Sequence, residues 1–157
     1  MADPVIKSPS EYAKIPAGTR VSYGPKGVVL SAAKLLQSAM AIGATGKKGA
    51  FVKVTRLIDK EPKYMADMGE GEDKTFVFID DPSDENQTAL LADAKLDKTV
   101  VFFMEFPNGR ISEVEVVLAG WTLQSVDAPD GKVLQVEVYG KQNSVNWTAS
   151  PSTPVEP

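Results

Sequence analysis

The sequence predicts a mainly β domain with one flanking α-helix, a long loop and extended termini. Three observations lead there. From Lys98 onward, short runs of alternating apolar and polar residues are separated by turn signals. Asn108-Gly109 lies between two such runs, the strongest short-range hairpin signal. Only the segment after Asp81-Pro82 combines a cap residue, proline at the first helical position and acids in the first turn.

Taken in order, residues 1–17 (MADPVIKSPSEYAKIPA) are proline-rich and aperiodic, and are expected to form an N-terminal arm. The domain then runs from 18 to 143. Thr19 to Tyr23 alternates as a short strand and Gly24-Pro25-Lys26-Gly27 turns the chain. For 28–42, residues such as Ala32-Ala33-Lys34-Leu35-Leu36-Gln37 have high helix propensity but no convincing caps, so helix and strand both stay open. Gly43 to Gly49 is a glycine-rich turn, and Phe51 to Ile58 is a β-rich strand. Residues 59–74, polar, charged and glycine-containing, are expected to form a mobile loop.

Thr75 to Ile79 is apolar on both faces, as in a strand covered on each side. The helix, capped by Asp81, is expected to end near Lys95 and to pack Leu90, Leu91 and Ala94 against a sheet. Thr99–Phe106 and Arg110–Leu118 form one strand pair, joined at Pro107-Asn108-Gly109, where Asn108 and Gly109 both tolerate the positive φ of a tight turn. Trp121–Val126 and Val133–Tyr139 form another, closed by Asp127 to Gly131; Leu134, Val136 and Val138 share one face and Gln135, Glu137 and Tyr139 the other. Residues 144–157, rich in serine and proline, are expected to be a C-terminal tail.

The 157 residues suffice for one domain with a real core. With neither cysteine nor histidine, disulfides, thiolate or imidazole metal sites, cysteine nucleophiles and the Ser-His-Asp arrangement are all closed. A net charge of −4 and a pI near 4.9 argue against tight nucleic-acid binding, which needs basic residues on phosphates. No run approaches the ~20 apolar residues that span a bilayer, and no basic segment leads an apolar stretch at the start. No membrane partner is therefore expected, and assembly in a cytoplasm is the default.

Acidic residues cluster at Asp80, Asp81, Asp84 and Glu85, and again at Asp67, Glu70, Glu72 and Asp73. The first cluster lacks the glycine of an EF-hand loop, and helix capping accounts for it; the second fits a solvated loop. No metal, cofactor or catalytic residue is expected. Glu113 and Glu115 are the only acids placed on convincing strand ends for paired-carboxylate chemistry, and a solvated stripe explains them equally well. Asn86 and Asn146 head glycosylation sequons without a secretory signal to make them meaningful. Trp121 is expected in the core, whereas Trp147 is either a docking contact or simply exposed.

Several elements in order resemble the tail tube (major tail) proteins of long-tailed, siphovirus-type bacteriophages. Those proteins show a short strand, a DP-[DS]-D-x-x-Q-x-x-L segment opening a helix, a strand ending in FPNG or FPDG, and a strand reaching GW or GY. Here they stand as Phe76-Val77-Phe78, Asp81-Pro82-Ser83-Asp84-Glu85-Asn86-Gln87-Thr88-Ala89-Leu90-Leu91, Phe106-Pro107-Asn108-Gly109 and Gly120-Trp121. Similarity covers roughly residues 41–143 and favours strand over helix within 31–42.

The resemblance implies a β-sandwich or barrel-like subunit, six copies closing into a ring whose inner strands join around a channel, and stacking of rings into a tube in the virion. It implies a tape measure protein and terminator or tip proteins as partners, with DNA in transit and not specifically bound. It also assigns Lys60, Glu61, Lys63, Tyr64, Met65, Asp67, Glu70 and Glu72 in the loop to contacts between subunits. A channel that DNA slides through should be acidic or neutral, so Glu113, Glu115, Gln135 and Glu137 are candidates to face it, an outer solvated face being the alternative. Two other functions fit the same chemistry: the tube of a type VI secretion-like injection machine, and a small β-sandwich module recognising carbohydrate or protein.

Overall fold

A computed structural model describes residues 5–46, 48–69, 73–124 and 133–149. The chain forms α1 (Pro9–Tyr12), β1 (Arg20–Pro25), β2 (Lys34–Leu35), β3 (Ala39–Ala41), β4 (Phe51–Lys53) and β5 (Tyr64–Ala66). It continues through β6 (Asp73–Ile79), α2 (Glu85–Lys95), β7 (Thr99–Glu105), β8 (Arg110–Leu123) and β9 (Gln135–Ala149). Strands β2-β1-β7-β8-β9-β6-β3 make one antiparallel sheet that curls into a half-barrel, while β4 and β5 form a separate ribbon. The mainly β expectation with one flanking helix holds.

Alternation along the strands sorts side chains onto two faces of the sheet. Val21 and Tyr23 of β1, Phe76 and Phe78 of β6, Phe102 and Met104 of β7, Val114, Val116 and Leu118 of β8, and Val136 and Val138 of β9 pack into one core. Leu90 and Ala94 of α2 close it, with Leu91 half-buried alongside. Phe102 is its hub, stacked at 4.2 Å on Phe76 and tilted against Tyr23 at 6.0 Å.

Burial, with the charge of Asp93 as a lesser cause, pushes the Tyr23 hydroxyl pKa far above its ordinary value of 10.0. Above about pH 10 the unfolded chain therefore releases this proton while the folded one keeps it. Stability is fully present below that pH and falls by up to about 1.4 kcal/mol per pH unit above it. Denaturant midpoints measured from pH 8 to 11 should show that loss, and Tyr23→Phe should flatten it.

The structure revises several expectations. The segment 28–42 holds a 3₁₀ turn (Leu30–Ala32) with β2 and β3, and no α-helix. Its helix propensity yields to tertiary pairing, because Leu36 is buried and its N–H donates to the Val21 carbonyl at 2.8 Å. Asp84, not Asp81, caps α2, accepting from the Asn86 N–H at 3.1 Å. Asp81 instead opens a β-turn closed by the Asp84 N–H on its carbonyl at 3.1 Å, with Pro82 inside it. Buried Gln87 clamps this corner by donating to the Ile79 carbonyl and accepting from the Asp81 N–H. Strand β6 is not covered on both faces, since Phe76 and Phe78 are buried while Ile79 is 42% exposed.

The turn after β7 is a type I-like turn followed by a glycine bulge: Gly109 has φ 92°, and Asn108 is not among the described residues with positive φ. Asn108 contributes through its side chain, whose Oδ1 accepts from the Arg110 N–H at 3.1 Å. Strand β8 does not stop at Leu118. A bulge at Gly120, φ 88°, lets it run on to Leu123, leaving Trp121 39% exposed and outside the core. Leu134 is also exposed, unlike Val136 and Val138. Strand β9 reaches Ala149, so residues 144–149 belong to the sheet and not to a tail. The predicted turn at Asp127 to Gly131 lies outside the described residues.

Candidate assembly surfaces

The segment expected to be a mobile loop begins inside a β-hairpin. Phe51 pairs with Ala66, Val52 with Met65 and Lys53 with Tyr64. The ladder extends through the Val54 N–H to the Lys63 carbonyl and the Asp67 N–H to the Ala50 carbonyl. The β-rich run Phe51 to Ile58 is therefore a strand only to Lys53, and its remainder forms the tip. There Arg56 and Asp59 close a turn: the Arg56 guanidinium donates to both Asp59 oxygens and its N–H to Oδ2 at 2.9 Å, while the Asp59 N–H returns to the Arg56 carbonyl. The Arg56 guanidinium holds the Asp59 carboxyl below its ordinary pKa, and Asp59 raises that of Arg56.

Between these two residues Leu57 is 108% and Ile58 79% exposed. Directly paired residues share a face of a ribbon. Phe51 and Tyr64 therefore lie on one face, Val52 and Met65 on the other, and all four are solvent-exposed. A two-stranded ribbon apolar on both faces is marginal in water by itself, which makes this exposed apolar surface a candidate for contact with a partner.

Of the predicted loop residues, Lys60, Glu61 and Lys63 lie at or near the tip, Tyr64 and Met65 on β5, and Asp67 just after it. Glu70 and Glu72 fall outside the described residues. Lys74, expected to end the loop, instead lies within β6: it is 1% exposed, donating to the Ile42 and Ala44 carbonyls and, at 2.7 Å, to Thr45 Oγ1. Sequence reasoning missed Phe51, Val52, Leu57 and Ile58 as surface residues. The available signal was the second β-prone run, Lys63 to Ala66, which makes a hairpin of what looked like one core strand.

The four channel candidates do share one face. Glu113 and Glu115 project from β8 away from Ser112, Val114 and Val116, and Gln135 and Glu137 from β9 away from Val136 and Val138. This is the side without α2. Asp73, Glu105, Glu113, Glu115 and Glu137 stand there against Arg20, Lys26 and Lys141, with pairs Arg20–Glu105 at 3.8 Å, Lys26–Glu115 at 3.4 Å and Lys141–Asp73 at 3.8 Å. The acids outnumber the bases by two, and exposed pairs of this type contribute only about 0–1 kcal/mol each. Glu137 accepts from Gln124 at 2.7 Å and from the Tyr139 hydroxyl at 2.6 Å. Gln135 meets the Met40 sulfur at 3.3 Å.

Asp81 and Asp84 are consumed by turn and cap, and among the described residues no group of three potential metal-ligating side chains comes together. Trp147 belongs to a strand and not to a tail, and it is exposed. It sits opposite Ser112 on β9, 44% exposed, with its ring 6.2 Å from that of Phe106.

A family model described as a phage tail tube protein family matches residues 14–150. The chain belongs to that family. The tail tube protein is thus a component of the virion tail, as the ordered motifs implied. Solved structures with the same fold include a chain of the anti-feeding prophage baseplate, 6-fold symmetrised, at TM-score 0.68 and 8% identity over 95% of this chain and 98% of that one. A chain in the tail of an empty gene transfer agent particle, refined with C6 symmetry, aligns at TM-score 0.64 and 11% identity over 87% of this chain and 100% of that one. The SPP1 tail tube aligns at TM-score 0.61 and 8% identity, covering 84% and 77%. No curated protein is detectably similar in sequence. At 8–11% identity, these likenesses show a shared fold.

Proposed function

We propose that this tail tube protein closes into hexameric rings that stack into the tube of a siphovirus-type tail, the conduit for DNA ejection. The observation that carries the reading is the β4–β5 ribbon, apolar on both faces and at its tip, which has no use in a lone subunit. Six-fold symmetry in similar assemblies supports the ring. The subunit acts as a structural element and not as an enzyme. The N-terminal arm carries exposed Val5, Ile6 and Ile15 and reaches neighbouring copies together with the ribbon. A tape measure protein inside the tube and terminator or tip proteins at its ends complete the assembly, and a tube-terminating cap occurs in a related prophage particle. The acidic helix-free face lines the channel, so that phosphates slide past without neutralising contacts.

A second reading, the tube of a phage-like contractile injection device, is favoured by the similarity to such systems. Concentrated pure protein should form rings and tubes visible by negative-stain microscopy. Cryo-electron microscopy of those tubes should place Glu113, Glu115, Gln135 and Glu137 on the channel wall. A protein that stays monomeric at every concentration and binds glycans would instead favour the recognition-module reading. A channel wall formed by another surface would overturn the assignment of these four residues.

A further inference from the structure

A groove of about 300 Å³ lies between the root of the N-terminal arm and the turn after β7, lined by Lys14, Ile15, Pro16, Phe106, Asn108 and Arg110 among others. Hydrogen bonds fix both of its walls. The Pro16 carbonyl accepts from the Thr19 N–H at 3.1 Å and from its hydroxyl at 2.6 Å, and the Phe106 N–H donates to the Arg110 carbonyl at 2.9 Å. The Trp147 ring, 6.2 Å from that of Phe106 and 44% exposed, extends the aromatic surface onto β9. Lys14 and Arg110 bring two positive charges, and among the described residues neither forms an ion pair.

Strand β9 delivers the chain to this groove, since its last residue, Ala149, pairs with Arg110. The next eight residues, 150–157, lie outside the described residues and read Ser-Pro-Ser-Thr-Pro-Val-Glu-Pro. Pro151, Pro154 and Pro157 recur at every third position. That is the period of a polyproline II helix, which sets all three rings along one edge. Proline fixes its own φ and steers the preceding residue to extended dihedrals, so only Ser152 and Val155 escape both restraints. Segments of this kind dock in aromatic-lined grooves at small entropic cost, because they are extended beforehand. Glu156 is the only charge in the eight residues, opposite in sign to Lys14 and Arg110.

We infer that residues 150–157 fold back over this groove as a polyproline II strap, with proline rings against Phe106 and Trp147 and Glu156 beside the two cations. The same chain is the occupant because the segment begins at the groove's own rim, where its effective concentration exceeds that of any second copy. Eight residues at about 3.1 Å each reach ~25 Å, enough to turn back and cross it. The strap does not depend on the ring reading.

Nuclear magnetic resonance on the whole chain, dilute enough to be monomeric, tests the strap. Backbone order parameters at Ser152, Thr153, Val155 and Glu156 should approach the ~0.85 of rigid structure. Ring protons of Pro151 or Pro154 should show Overhauser contacts to the Phe106 and Trp147 rings. Pro151→Ser with Pro154→Ser should drop the order parameters below about 0.6 and erase the contacts, leaving core resonances unchanged, since no strand or core residue is touched. Wild-type values below about 0.6, or a double variant that stays ordered, would overturn the strap. Contacts seen only between isotope-labelled and unlabelled copies in a mixed sample would give the groove to a neighbouring copy and overturn it as well.

Discussion

Replacing Gly140 with alanine is expected to lower stability by about 3 kcal/mol, and with valine to leave little folded protein. Gly140 lies in β9 between Lys74 of β6 and Leu118 of β8. A Cβ there would stand 2.4 Å from Val116 Cγ1 and 2.9 Å from the Val117 carbonyl oxygen. The first contact is with a fully buried side chain and the second with backbone, so neither neighbour yields without moving β8, and overpacking of this kind costs roughly 1–3 kcal/mol or more. For a chain of this size the alanine variant should melt about 6–12 °C lower. Gly27→Ala is the control: its φ of 91° strains an L-residue, but nothing lies within 4 Å. That variant should lose only about 1–2 kcal/mol. Equal melting temperatures for Gly140→Ala and wild type would refute the packing argument.

Substituting both Leu57 and Ile58 with aspartate should do the reverse, sparing the fold and ending assembly. Both side chains are almost wholly exposed in the subunit, so the monomer loses no core contact and its melting temperature should move by no more than ~2 °C. Burying two such side chains in an interface contributes about 1.5–3 kcal/mol each. Their loss should raise the concentration needed for tube formation at least ~100-fold, as read by sedimentation and microscopy. Tubes forming at the wild-type concentration would show that the ribbon tip does not join copies.

Much of the fold was legible because local and tertiary preferences agree there. The alternation through β7 and the lower part of β8, the turn at Gly109 and the helix ending at Lys95 all follow from short-range chemistry. Where they disagree, the sequence misleads. Ala32 to Leu36 favours a helix on its own, yet Leu36 is drawn into the core beside Val21. Asp81 and Asp84 flank the same proline, and only the turn geometry decides which of them caps. Ser144 to Ala149 resembles a tail in composition, but Val145 and Trp147 lie opposite the buried Val114 and Ser112 of β8. The exposed ribbon was hardest to see, since its apolar run has the same pattern as a core strand. Phe51 and Val52 look buried until their partners Ala66 and Met65 are found to be exposed as well.

Pinning at the root of the ribbon has a mechanical consequence. Lys74 is held by the carbonyls of Ile42 and Ala44, and Gln142 donates to the Gly46 carbonyl at 2.8 Å, so the chain is fastened to the half-barrel shortly before and shortly after the hairpin. The half-barrel thereby grips the chain at residues 42–46 and at Lys74, on either side of the ribbon in sequence. If the ribbon joins copies as proposed, a load on it reaches the sheet through these same bonds.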